Sequence, residues 1–219
     1  MSVLGLATIG QTPRPDLVRA FGAAAPATRI LVRGALDGLA RAEVAALEQA
    51  GDYPLLVRLA DGATAEIPMA VLHPRVERAV AALEADGADA TVVVCAGRFP
   101  AVRAARPVLL PGEIVPAVLR AITRTGRIGV VTPNAGQVPF AERKWRGDGF
   151  DPVVSWAAPG AADDLARAAA ALSGRDLELV VLDCMGHDEA DRAAFARLTG
   201  RPVVAAQTLV THVAAAVVG

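Results

Sequence analysis

Thr91-Val-Val-Val-Cys95-Ala-Gly97 and Leu179-Val-Val-Leu-Asp-Cys184-Met-Gly186 contain the only two cysteines of the chain. Each cysteine stands where an apolar run of strand character breaks into a glycine turn. An unbroken apolar run of this length reads as a strand buried on both faces, the situation of strands in parallel sheets covered by helices. Open α/β sheets bind ligands beyond the carboxyl ends of their strands. Both thiols are therefore expected at the mouths of clefts and not in the core, where two facing thiols would form a proton donor and a proton acceptor.

Outward from these runs the same alternation continues. Apolar segments at 3–9, 29–32, 90–94, 127–131, 153–156, 177–182 and 203–206 are interleaved with Ala/Leu/Arg-rich stretches of helical period. Those stretches lie at 14–24, 40–50, 114–122, 161–173 and 189–198. This is the pattern of βαβ units and a mainly parallel sheet. One segment departs from it: Tyr53-Pro-Leu-Leu-Val-Arg-Leu-Ala60, then Asp61-Gly62, then Ala63-Thr-Ala-Glu-Ile-Pro68 reads as a β-hairpin, because Asp-Gly suits a tight turn between twisted strands. A helix is expected to follow it over 69–86, with Pro74 in its early turns.

The two halves also resemble each other. Val3-Leu-Gly-Leu-Ala-Thr-Ile-Gly10-Gln-Thr-Pro13 matches Ile128-Gly-Val-Val-Thr-Pro-Asn-Ala-Gly136-Gln-Val-Pro139 as apolar strand, polar turn, Gly-Gln-x-Pro and helix. Each copy precedes one cysteine run. The interval is longer in the first half, where the hairpin is inserted.

Length, 219 residues, admits one α/β domain or two lobes of roughly 100 residues each. A net charge of -1 argues against a nucleic-acid or anionic-membrane partner, since neither binds without a positive field. Lys144 is the only lysine. The hydrophobic fraction of 53% comes largely from alanine, and no run approaches the roughly 18 apolar residues of a membrane span. The opening residues lack a basic segment followed by a long apolar stretch, so a cytoplasmic location is expected. There both cysteines would be thiols. Two cysteines without CxxC spacing and three histidines argue against a metal site, and no cofactor is called for.

A thiol moves protons on carbon well when a helix amino terminus or a nearby positive group favours its thiolate. Cys95 is followed by Ala96-Gly97-Arg98. Cys184 is followed by Met185-Gly186-His187, with a helix expected from Asp188 or Glu189. His187 is a candidate to polarise the second thiol, or simply to cap that helix. Asp183 should point away from it while the strand stays extended. The other strand ends offer small polar groups for fixing a carboxylate or carbonyl: Thr8, Gln11 and Thr12 in the first half, Thr132, Asn134 and Gln137 in the second. Gly97, Gly186 and Arg98 complete the candidate substrate-binding set, with Arg103 and Arg106 as further guanidinium candidates. Against these readings, cysteine is among the most buried residue types and Thr and Asn commonly shape turns. His73, His212, Trp145 and Trp156 read as structural.

The opening Ala7-Thr-Ile-Gly10, the 137–145 stretch with its Lys144-Trp145 pair, and Leu182-Asp-Cys184-Met-Gly186 resemble the AroM family over essentially the whole chain. That family looks like a branch of the aspartate/glutamate/hydantoin racemase superfamily. The resemblance implies an α/β fold of two similar Rossmann-like lobes with mainly parallel sheets and an inter-lobe cleft. The first lobe would be 1–112 with 205–219 packed back on it, and the second 113–204. It also implies cofactor-independent proton transfer, with Cys95 as the first-lobe thiol and Cys184 as the second, on a small carboxylate or cyclic amide, and a homodimer. Cys184-Met-Gly186 is closer to the Cys-x-Gly of hydantoin racemases than to the Cys-Thr-His of glutamate racemases. Ala96-Gly97 replaces the Asn-Thr pair common after the first cysteine of amino-acid racemases, and Asp183 stands where many carry glycine. Both departures point away from an ordinary amino acid. A one-cysteine isomerase or decarboxylase, and a non-catalytic metabolite-binding or regulatory protein, are the rival expectations.

Overall fold

Val3–Thr8 (β1) and Arg127–Thr132 (β7) are the strands around which the two halves are built. Each has a glycine three residues before its terminal threonine. A methyl group on Gly5 would lie 2.7 Å from Thr91 Oγ1 and 3.2 Å from Leu83 Cβ, and one on Gly129 would lie 3.0 Å from Leu172 Cδ1 and from Val180 Cγ2. The missing side chains let a covering helix and a neighbouring strand approach at the same point of each half.

The structure is a computed structural model and describes residues 1–48 and 53–219. In chain order the first part contains β1, Pro15–Ala24 (α1), Arg29–Gly34 (β2), Arg41–Leu47 (α2), Pro54–Arg58 (β3), Thr64–Pro68 (β4), Met69–Ala85 (α3), Ala90–Val94 (β5), Val108–Leu109 (β6) and Pro111–Ile122 (α4). The second contains β7, Val138–Gly147 (α5), Asp151–Trp156 (β8), Ala162–Leu172 (α6), Leu179–Leu182 (β9), Glu189–Thr199 (α7), Val203–Ala205 (β10) and Ala206–Val218 (α8). The helical run expected over 40–50 is α2 as far as Leu47, and its last two positions lie outside the described residues.

Two compact units result, Met1–Gly112 with Thr211–Gly219, and Glu113–Val210. The first has a four-stranded sheet in the order β2-β1-β5-β6, and the second has one in the order β10-β9-β7-β8. Every strand pair in both sheets is parallel. The topology is therefore the same twice: the first strand at the centre, the second on one side, the third and fourth on the other. Fully buried runs such as Thr91–Val94 and Leu179–Leu182 are the central strands that this arrangement covers on both faces.

The helices bury one stripe each. Leu17 and Phe21 do this in α1, Leu72, Val76, Val80 and Leu83 in α3, and Leu165, Ala168, Ala169 and Leu172 in α6, at the three- and four-residue spacing of a helix face. Pro74 lies in the second turn of α3.

The hairpin β3–β4 belongs to the first unit alone and pairs Arg58 with Thr64 and Pro54 with Pro68. Its turn is one residue longer than the two-residue connection read from Asp61-Gly62. Leu59 N–H donates to the Ala63 carbonyl at 2.8 Å, Gly62 N–H donates to the Leu59 carbonyl at 3.0 Å, and Gly62 has φ of 85°, the left-handed conformation that closes such a loop. The two-residue edge strand β6 carries no periodicity, which is why the sequence reading passes over it.

Candidate active site

Register fixes where the sequence candidates sit. Thr8 pairs with Val94 across β1 and β5, so Cys95 is one residue beyond the level of Thr8. Val131 pairs with Leu182 and accepts the Asp183 N–H at 2.8 Å, which puts Asp183 level with Thr132 and Cys184 one residue beyond. Each cysteine thus occupies the same position relative to the central strand of its own unit. Neither is in a disulfide.

The turns that follow are also alike. Gly97 N–H donates to Cys95 Sγ at 3.3 Å, and Gly186 N–H donates to Cys184 Sγ at 3.3 Å. Backbone N–H donors stabilise negative charge on sulfur. In each unit the second residue of the helix after the fourth sheet strand fixes the turn. Gly112, in α4, admits the Gly97 carbonyl so closely that a methyl there would lie 2.4 Å from its oxygen. Gln207, in α8, donates from Nε2 to the Met185 carbonyl at 2.8 Å and is buried. Sequence reading missed both, because an anchoring contact from a distant helix leaves no local pattern.

The first thiol belongs to the core of its unit. Cys95 is 8% exposed and packs in one cluster with Ile9, Leu55, Met69 and Phe99. The polar candidates of this unit form a separate network. Thr8 Oγ1 accepts from Gly10 N–H at 3.4 Å and from Arg14 Nη1 at 3.2 Å, which leaves its own O–H as the remaining donor. Gln11 is fully engaged with backbone: Nε2 donates to the Leu36 and Leu39 carbonyls at 3.1 and 2.9 Å, and Oε1 accepts from Ala60 N–H at 3.1 Å. Thr12 donates from Oγ1 to Asp37 at 3.1 Å. Arg98 is exposed and Gly97 half-buried.

Arg14 is a second residue of this unit, after Gly112, that the sequence analysis missed. Its guanidinium, 11% exposed, forks onto Asp16 through Nε at 3.0 Å and Nη2 at 2.7 Å while Nη1 holds Thr8. Burial raises the Asp16 carboxyl, and the Arg14 hydrogen bonds and charge outweigh it, leaving the group below its ordinary range. The Arg-Pro context of a turn gave no hint of a buried cation.

The second thiol is half-buried, and a methyl on Gly186 would lie 3.5 Å from its sulfur and 2.8 Å from Pro159 Cγ. Lys144 Nζ donates to both oxygens of Asp183 at 2.9 and 3.0 Å, and Trp145 Nε1 donates to Asp183 Oδ2 at 2.8 Å. Both members of the ion pair are 6% exposed. The adjacent Lys144-Trp145 pair of α5 thus converges on the residue before Cys184. Three residues after the thiol, His187 is fully buried, and its Nδ1 lies 2.7 Å from Asp191 Oδ2. Its Nε2 meets no hydrogen-bond partner among the described residues. Burial raises the Asp191 carboxyl, but hydrogen bonds from His187 and from Gly160 N–H, with the charge of His187, carry it below its ordinary range. The ionised carboxylate accepts the Nδ1 proton and directs the ring.

Thr132 Oγ1 donates to the Asn134 carbonyl at 3.0 Å, and Asn134 Oδ1 accepts Gln137 N–H at 3.0 Å to cap the 3-10 turn before α5. Gly186 is exposed. His73 and His212 lie on α3 and α8, as the sequence suggested, and His73 Nε2 sits 3.1 Å from the Ala101 carbonyl. Among the described residues no three His, Cys, Asp or Glu side chains gather as metal ligands, and no described helix is long and apolar enough to cross a membrane.

Two parallel four-stranded sheets of the same topology make up a fold shared with several enzymes. Arylmalonate decarboxylase superposes with a TM-score of 0.65 at 18% identity, over 99% of this chain and 92% of that one. Allantoin racemase from Klebsiella pneumoniae gives 0.63 at 16% identity, over 100% and 88%. The maleate isomerase Iso from Pseudomonas putida S16 gives 0.63 at 14%, over 96% and 90%. No curated protein matches in sequence. The chain belongs to the AroM family, whose model, described as AroM protein, matches residues 4–218.

Proposed function

We propose that this AroM-family protein is a cofactor-independent racemase or isomerase acting on a small carboxylate or cyclic amide with an acidified carbon–hydrogen bond. Cys95 and Cys184 serve as opposed acid and base. One sulfur, as thiolate, takes the proton from carbon and leaves the electron pair delocalised into the adjacent carbonyl as an enolate. The other, as thiol, returns a proton to the opposite face. The carbon ends inverted and the sulfurs exchange protonation states. The observation that carries the reading is the repeated Cys-x-Gly turn with its N–H···Sγ contact of 3.3 Å in each unit. Packing alone gives no reason for both halves to keep it. The Thr8 hydroxyl, presented by Arg14, and the His187–Asp191 pair are the groups best placed to hold the carboxylate or enolate of the substrate.

Replacing either cysteine by serine should remove racemisation, by about 10²- to 10⁴-fold for loss of one acid–base partner, while the far-ultraviolet spectrum and melting temperature stay those of the parent. Full turnover by both variants would sink the proposal. A second reading rests on the unlike burial of the thiols, Cys95 buried and Cys184 half-buried. In it a single cysteine delivers the proton, in an isomerisation or after loss of carbon dioxide, and only one serine variant is inactive.

A further inference from the structure

Among the described elements, α2 and the hairpin of the first unit have no counterpart in the second, and the hairpin ends against the first thiol. A methyl group placed on Gly97 would have three nearest neighbours: Leu55 Cδ2 of β3 at 3.0 Å, Cys95 Sγ at 3.3 Å and Met69 Cε, the first residue of α3, at 3.3 Å. The sulfur is therefore flanked by the side chains that the hairpin delivers. Leu55 (6% exposed), Met69 (9%) and Phe99 (4%) retain a small accessible edge in the same cluster as Cys95. A polar substituent brought beside Cys95 would lose its hydration against hydrocarbon and thioether, whereas an apolar one would gain contacts.

We infer that the hairpin makes the first thiol selective: the substrate is a carboxylate or cyclic amide carrying a branched or aromatic apolar substituent near the carbon that faces Cys95, with Leu55 and Met69 as the residues that set this preference. The inference rests on the proposed function for the word substrate, but the selectivity itself is a property of binding. Unlike an amino-acid site, which must offer partners for an ammonium group, this surface offers none from Leu55, Met69 or Phe99.

The test uses Cys184→Ser protein, so that Cys95 is the only thiol, and follows its alkylation by iodoacetamide in the presence of 4-methylpentanoate or its polar isostere succinamate. 4-Methylpentanoate should half-protect Cys95 at a concentration at least about tenfold lower than succinamate, the range expected for discrimination in an apolar pocket. Adding Leu55→Asn, or Met69→Gln if the first variant does not fold, should shrink that ratio towards one. Equal protection, better protection by succinamate, protection by neither, or a ratio unmoved in a folded variant would overturn the inference. Selective protection with no exchange of any substrate hydrogen by the parent protein would instead overturn the racemase reading and leave the selectivity standing.

Discussion

The Cys95 turn of the first unit and the Cys184 turn of the second differ in everything except the backbone. Both follow the third strand of an identical parallel sheet, and both aim a glycine N–H at sulfur. Yet Cys95 is buried, in one core cluster with Leu55, Met69 and Phe99, while Cys184 is half-buried, directly follows the Lys144-bound Asp183 in sequence and stands three residues before the Asp191-bound His187. Even the matched threonines are used in opposite senses, since Thr8 accepts a hydrogen bond from Arg14 whereas Thr132 donates to backbone carbonyls. The lesson is that the repeat conserves how a thiol is held, and the side chains around it decide what each thiol can meet.

The comparison is broken most severely by removing the ionic support of the second turn. Lys144→Met strands the Asp183 carboxylate at 6% exposure with only Trp145 Nε1 retained from the pair described above, and should cost about 3–5 kcal/mol in urea unfolding. The alkylation rate of Cys95 in the folded fraction should be unchanged. A smaller effect is expected from Gly112→Ala, whose methyl would meet the Gly97 carbonyl at 2.4 Å. Relief needs backbone movement, so a loss of about 1–3 kcal/mol is expected, with a changed reactivity of Cys95 but not of Cys184. Gly22 in α1 faces open space, with nothing within 4 Å of the point a methyl would occupy. Gly22→Ala should therefore stabilise by about 0.5–1 kcal/mol in the same urea measurement, with both thiols unaffected.

The smallest effect is a pH slope confined to the second unit. Hydrogen bonds from Thr125 Oγ1 and from the N–H groups of Arg124, Thr125 and Gly126 hold the Glu178 carboxyl down at about 2, against an ordinary 4.5. A carboxyl lowered by folding contributes stability that is complete above its unfolded value and is lost as the pH falls from about 4.5 to about 2. Glu178→Gln should flatten that part of the acid-unfolding curve, and an unchanged slope would show that the loop contact is not formed in solution.

Strand-to-cysteine runs, the hairpin and α3 were legible because buried parallel strands and long amphipathic helices write their pattern into consecutive residues. The contents of the two thiol environments were not legible. Arg14 reaches Thr8 over a turn, Gln207 reaches Met185 from another helix, and Lys144 meets Asp183 across 39 positions. Gln11 shows a structural use of a strand-end amide. A strand-end amide looks ready for a ligand, but here its amide binds Leu36, Leu39 and Ala60 and ties two loops together.

The central claim is that two like turns present two working thiols. It is tested most directly by following hydrogen-to-deuterium exchange at the reacting carbon of each separate enantiomer of an active substrate, in deuterated water, with the Cys95→Ser and Cys184→Ser proteins. Each variant should keep exchange from one enantiomer and lose it from the other, with opposite preferences. Loss from the same enantiomer in both variants, or parental exchange of both enantiomers by either one, would contradict the account.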